Sequence, residues 1–188
     1  MRLAEEDTRL FFKLHPALLF YVNQKLNVVE DLQSVEEFMK LPLEQKGKIR
    51  NALWDSPDLI DTFVDENPFN LTEEELQIVH GWKTHIRGRF FVVKYLKGYT
   101  AFLMEGEDKV YGVLGLMSDF DEVLGYGLPV LVHTVLLPFK GQIVYDGFMS
   151  PFNVVFGRGI SQDINASYQR GQGKVWHHHL IGPSGRMH

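Results

Sequence analysis

Hydrophobic positions recur at spacings of three and four through residues 5–26, where Leu10, Phe11, Leu14, Leu18 and Val22 form one stripe. That is the period of one face of an α-helix. Pro16 interrupts the stripe, so the segment reads as a kinked helix, or as two short helices with Pro16 in the first turn of the second. Ser34-Val35-Glu36-Glu37 has the form of a capping box. In such a box a hydroxyl accepts from the amide three residues on, and a glutamate reaches back. Pro42 breaks that segment after Leu41 and starts another that runs to about Trp54. Ser56-Pro57 reads as a cap followed by proline at the first helical position, opening a helix with Leu59, Ile60, Phe63 and Val64 that stops before Pro68. Thr72–Glu75 repeats the capping box and opens a helix with Leu76 and Val79 that ends near His85.

At Gly88 the period changes to that of strands. Arg89–Leu96, Tyr99–Glu105, Val110–Met117, Val130–Leu137, Gln142–Tyr145 and Asn153–Phe156 are β-branched or aromatic runs, separated by short turns and one loop, Ser118–Pro129. Short strands on short turns predict antiparallel pairing. Alternation is imperfect: Phe91, Val93 and Tyr95 fall on one side of the first strand, and Phe90, Val92 and Leu96 on the other. Both faces of the sheet therefore need cover, from helices, from curling, or from a second subunit. Ile160–Arg170 reads as a last helix, ended by Gly171 and Gly173. The expected fold is α+β, with N-terminal helices packed on a curled, mainly antiparallel sheet, followed by a C-terminal helix. Residues 1–188 are expected to fold as a single unit with a helical part (1–86), a sheet (87–157), the last helix (158–173) and an irregular tail (174–188).

Composition narrows the class. Aromatic residues make up 13% of the chain and there is no cysteine. Such a chain is neither a disordered tail nor a disulfide-stapled or Cys-ligated metal module. No apolar run approaches the roughly 20 residues that cross a bilayer, and MRLAEEDTRL has no apolar stretch of a signal peptide. The expectation is a soluble, cytoplasmic protein that makes no membrane contact. Residues 1–85 hold 9 Lys/Arg against 16 Asp/Glu, and residues 86–188 hold 10 against 8. An acidic half of this kind argues against broad phosphate-backbone contact, so nucleic acid is not the expected partner. Acids in helix first turns account for much of the imbalance.

Several phrases, FFKLHPALLFYVNQKL, ENPFNLTEEELQIVHGWK, RGRFFVVKYLKGYTAFL, LPFKGQIVYDG and FGRGI, span roughly residues 10–165 in this order. In them the chain resembles a group of small prokaryotic proteins with a helical N-terminal half followed by these sheet segments. The resemblance implies helices and sheet in one co-folded unit. It supplies no activity, cofactor or catalytic residue.

The candidate sites come from the residues alone. Phe156-Gly157-Arg158-Gly159-Ile160-Ser161 places two glycines and a cation where a strand meets a helix. Free amides at a helix start, with Arg158, Gly159 and Ser161 around them, suit an anion such as phosphate. The purely structural alternative is a tight turn that needs a positive φ, with Ser161 as the cap. Gln162 stands where a dinucleotide fingerprint needs its third glycine. Lys140, in its proline-led hairpin, and Asp146, before Gly147, could meet across that hairpin, as anion holder and base; or they are ordinary turn residues. His133, inside the most apolar strand, is an acid–base candidate if it faces a cleft, and otherwise a hydrogen-bonded neutral histidine. Asp119, Asp121 and Glu122 suggest a hard-cation loop, or acids in a helix first turn. His177 and His179 would share a face on a strand, but among Gly, Ser and Pro they predict adventitious metal contact and no resident ion.

No nucleophile elbow, His-Glu-x-x-His or cysteine nucleophile occurs. The sequence names no cofactor. Its favoured reading is a non-catalytic module that self-associates or binds another protein. The alternative is a small enzyme or ligand-binding protein with an anion site at Gly157–Ser161.

Overall fold

The computed structural model describes residues 1–177. The chain divides into two compact units, one of residues 5–83 and one of residues 1–4 together with residue 84 onward.

The first unit is helical: α1 (Glu5–Leu26), α2 (Val35–Lys40), α3 (Leu43–Asp55), α4 (Leu59–Glu66) and α5 (Glu73–Gly81), ending in a 3₁₀ turn at Trp82–Thr84. α1 runs unbroken through Pro16, and every residue from Leu14 to Asn23 is buried. A helix buried on all sides is a central one, and α2 to α5 each pack against it. The single apolar stripe thus understated α1. Polar Asn23 is tolerated inside because its amide clamps Val29, donating to the carbonyl (2.9 Å) and accepting from the N–H (2.8 Å).

The caps fall close to expectation. Thr72 forms the complete box with Glu75. Ser34 Oγ accepts from the Glu37 N–H, while Glu37 reaches one residue further, to the Gln33 N–H. Pro42 is the N-cap of α3. Ser56-Pro57 opens a turn, and α4 itself starts at Leu59. Asn67, in the left-handed region at φ 40°, ends α4 before Pro68 can.

The second unit is a closed barrel of β1 (Ile86–Tyr95), β2 (Thr100–Met104), β3 (Val110–Leu114), β4 (Val130–Phe139) and β5 (Gln142–Pro151), with α6 (Phe120–Leu124) between β3 and β4 and α7 (Arg158–Gly171) after β5. The order around the barrel is β1-β2-β3-β5-β4; all pairs are antiparallel except β3 with β5. A five-stranded Greek-key barrel with this order and a helix after β3 has the topology of the OB-fold. The chain is thus α+β, with N-terminal helices, a mainly antiparallel curled sheet and a C-terminal helix.

Curling answers half of the two-faced strand problem. Phe90, Val92, Phe102, Tyr111, Val113, Val132, Leu136 and Ile143 fill the interior, and Phe120 of α6 closes it. The loop expected over 118–129 therefore contains a helix, started by an Asp119–Glu122 capping box. Lys140 (φ 49°) and Gly141 (φ 73°) form the two-residue turn that joins β4 to β5, the geometry a right-twisted hairpin prefers. Asp146-Gly147 does not end a strand. It sits inside a continuous β5, next to a register shift opposite Thr134–Leu136, with Gly147 at φ 86°. Residues 153–156, expected as a strand, belong to no element. Residues 175–177, expected as part of an irregular tail, and residues 1–3, expected with the helical part, pair beside β3: Trp176 bridges Tyr111 and Arg2 bridges Gly115.

Candidate binding surface

The outer face of β1–β3 is apolar. Ala101, Leu103 and Val110 are buried there beneath Ile164 and Tyr168 of α7, with Phe91, Val93 and Phe156 packed at the edge. Three features hold α7 down. Arg170 grips Asp108, in the β2–β3 turn, with two hydrogen bonds of 2.7 and 2.9 Å. The Ser167 hydroxyl donates to the same carboxylate. Gly171 lies so close to the Asp108 carbonyl and Val110 that a Cβ has no room. Arg170 and Ser167 together hold the Asp108 carboxyl below the usual carboxylate range. In OB barrels the β2–β3 face holds oligonucleotides or oligosaccharides; here the chain's own helix covers it. Sequence reasoning passed over Asp108, Ser167 and Arg170. The only signals were a turn acid and two polar residues three apart on the last helix.

A groove of about 250 Å³ remains beside β3, lined by Tyr99, Gly112, Gln142 and His177 among others. The His177 ring meets Tyr99 edge to face at 4.5 Å and lies against Gly112, where a side chain would collide with it. Among the described residues no carboxylate, lysine or arginine lines this groove. Inside the barrel, burial pushes the Tyr95 and Tyr111 phenols up to about 12, so both stay protonated at neutral pH. Tyr95 donates to the Gly125 carbonyl at 2.6 Å.

The candidate polar residues lie on different parts of the barrel unit. Arg158, Gly159 and Ser161 lie in the first turn of α7, the first two exposed and Ser161 half-buried. Gly157 is the N-cap at φ −65° with no side-chain bond, so neither a positive φ nor a Ser161 cap is used. Ser161 sits within the helix, its amide on the Gly157 carbonyl. Lys140 is at the β4–β5 turn, whereas the chain leading to α7 is anchored on Leu131, at the far end of β4. Nine residues of strand between them measure up to about 30 Å. Asp146 is fully buried, and its carboxylate accepts from the Phe148 N–H at 3.2 Å as an Asx turn does. His133 is half-buried, opposite Arg89 on β1 and Ser150 on β5. His178 and His179 lie outside the described residues. Among the described residues no group of His, Cys, Asp or Glu is arranged to hold a metal, and no helix is long and apolar enough to cross a membrane.

What the barrel unit does present is apolar. Between β5 and α7 the chain belongs to no helix or strand and turns at Asn153, and Phe152, Val154 (51% exposed), Val155 (95%) and, in the first turn of α7, Ile160 face solvent. Phe152 donates to the Leu131 carbonyl and Val154 to the Phe152 carbonyl. Among the described residues the amides of Asn153, Val155 and Phe156 make no backbone hydrogen bond. Exposed apolar side chains beside amides without backbone partners are what an added strand can pair with. A second exposed group, Met117, Val123 and Tyr126, surrounds α6.

No family model, no curated protein and no solved structure matches this chain.

Proposed function

We propose that the chain is a non-catalytic interaction module that self-associates through the segment between β5 and α7 and the first turn of α7. The observation that carries this reading is the exposure of Phe152, Val154, Val155 and Ile160 within nine consecutive residues. Scattered apolar residues are normal on a surface, but a contiguous group beside unpaired backbone marks an association site. The separation of Lys140 from the start of α7 weighs against the alternative of a shared anion site. The cover over the β2–β3 face weighs against a nucleic-acid strand held there. The test is native mass spectrometry and light scattering of the untagged chain. The expected result is a dimer that becomes a monomer in the double variant Val154→Asp, Val155→Asp. A strict monomer at the highest soluble concentration overturns the reading. So does a dimer indifferent to the double variant.

A further inference from the structure

We infer that the dimer forms by exchange of α7, each copy laying its last helix on the outer β1–β3 face of the other. This rests on the self-association reading and names its partner, a second copy of this chain.

The argument starts at the hinge. Val154-Val155-Phe156 is a β-branched and aromatic run with strand preference, yet the chain turns at Asn153, just before it, and the run joins no strand. The bend is closed by the Val154 N–H on the Phe152 carbonyl at 2.9 Å, a bond across two residues. It leaves Val155 almost wholly in solvent. Before the hinge the chain is tied to the barrel by β5 and by the Phe152 amide on Leu131. After it, Phe156 packs edge to face on Phe91 at 5.5 Å and moves with α7. Only residues 153–155 must change.

The docking face needs no change. It is already complementary to α7, through Ile164 and Tyr168 on Leu103 and Val110, and through Asp108 on Ser167 and Arg170. Every one of those contacts is kept when the helix comes from another copy. Straightening the hinge adds what the closed chain lacks: two hinge segments run antiparallel, pair the idle amides of Asn153 and Val155, and bury four valines. An exchange that keeps the closed contacts and gains the hinge contacts is the low-cost route to a dimer. It also explains why a solvent-exposed connection is apolar.

The absence of native cysteine makes a clean test available. In Asp108→Cys, Ser167→Cys the two thiols face each other across the α7 contact, and the full chain is oxidised and run on a denaturing gel. Exchange gives a disulfide-linked dimer. A native dimer that runs as a monomer when denatured, its disulfide within one chain, overturns the exchange and leaves self-association standing. A native monomer overturns both. If the cysteine pair does not fold, two charge variants decide. Asp108→Arg alone and Arg170→Asp alone each set like charges across the contact. Mixed in equal amounts, they restore opposite charges at both contacts only in an exchanged heterodimer. Native mass spectrometry should then find the heterodimer well above its statistical half share. A statistical mixture, or no association, overturns the proposal.

Discussion

The helical unit and the barrel unit differ in where their most consequential polar and apolar side chains lie. The helical unit buries polar ones: His15, Asn23 and Arg50 are all at least 95% covered inside a helix bundle. His15 stacks on Phe11 and meets Trp82 edge to face. Burial, with the Arg50 charge adding to it, lowers its pKa to about 3. The barrel unit fills its interior mainly with Phe, Val, Leu, Ile and Tyr111, buries only Thr100, Thr134 and Asp146 among its described polar side chains, and leaves Val154, Val155, Met117 and Tyr126 outside. The helical unit therefore carries a buried histidine beside a buried arginine, whose state depends on pH. The barrel unit carries a contiguous exposed apolar group, from Phe152 to Ile160, whose cover depends on concentration. The first arrangement affects stability and the second affects association, so mutations in the two should separate the two readouts.

The largest effect belongs in the helical unit. Trp82 is fully buried against Phe11 and His15, with ring centroids at 5.8 and 5.6 Å. Trp82→Ala should cost about 3–5 kcal/mol in urea unfolding, from lost transfer energy and the cavity left behind. Its dimer mass should stay as in the parent wherever the chain is folded. A loss below about 1 kcal/mol would mean that this bundle is not packed as described.

Acid should reveal the buried histidine next. The folded value, about 3, lies below the ordinary 6.5. As pH falls, the unfolded chain therefore takes up the proton first. The contribution of His15 is complete above about 6.5 and is lost steadily toward 3, at roughly 1.4 kcal/mol per pH unit. His15→Leu should flatten that part of the stability profile between pH 6 and pH 4, by about 2–3 kcal/mol over the interval. An unchanged slope would place the titrating group elsewhere.

A smaller effect isolates a local signal. Thr72 Oγ1 accepts from the Glu75 N–H at 3.3 Å while Glu75 accepts from the Thr72 N–H at 3.1 Å. Thr72→Ala should cost about 1 kcal/mol, read as a shift of the urea midpoint with no change in slope. This is also where the sequence was most legible. Capping boxes, Pro42 and the hairpin turn at Lys140-Gly141 are local devices, written in residues three or four apart. The helices of the first unit and the antiparallel strands of the second were readable for that reason. Barrel closure was not, because it depends on β3 meeting β5 in parallel through two residue pairs, Val113 with Ile143 and Leu114 with Val144. Nothing local encodes that register. The continuity of β5 was hidden by Asp146-Gly147, which has turn chemistry but serves as a kink inside a strand. The candidate surface was partly legible: the doubly apolar strands announced that something must cover them. That α7 does so through Asp108 could not be read from residues about sixty positions apart.

The smallest effect on stability is the sharpest on the comparison. Val155 is 95% exposed, so its side chain contributes little to the packing of one chain. Val155→Asp alone should move the unfolding free energy of the monomer by less than about 0.5 kcal/mol. The same change adds one carboxylate from each copy to the short antiparallel hinge of a dimer, two like charges brought close in an apolar contact. Dimer mass should therefore fall while the unfolding midpoint of dilute protein holds. Asn153→Asp, one bend away on the same hinge, should weaken association less, because its side chain is already polar. If instead Val155→Asp destabilises the dilute chain and leaves the dimer intact, Val155 belongs to the packing of a single copy. The division of labour between a stability unit and an association unit would then have to be redrawn.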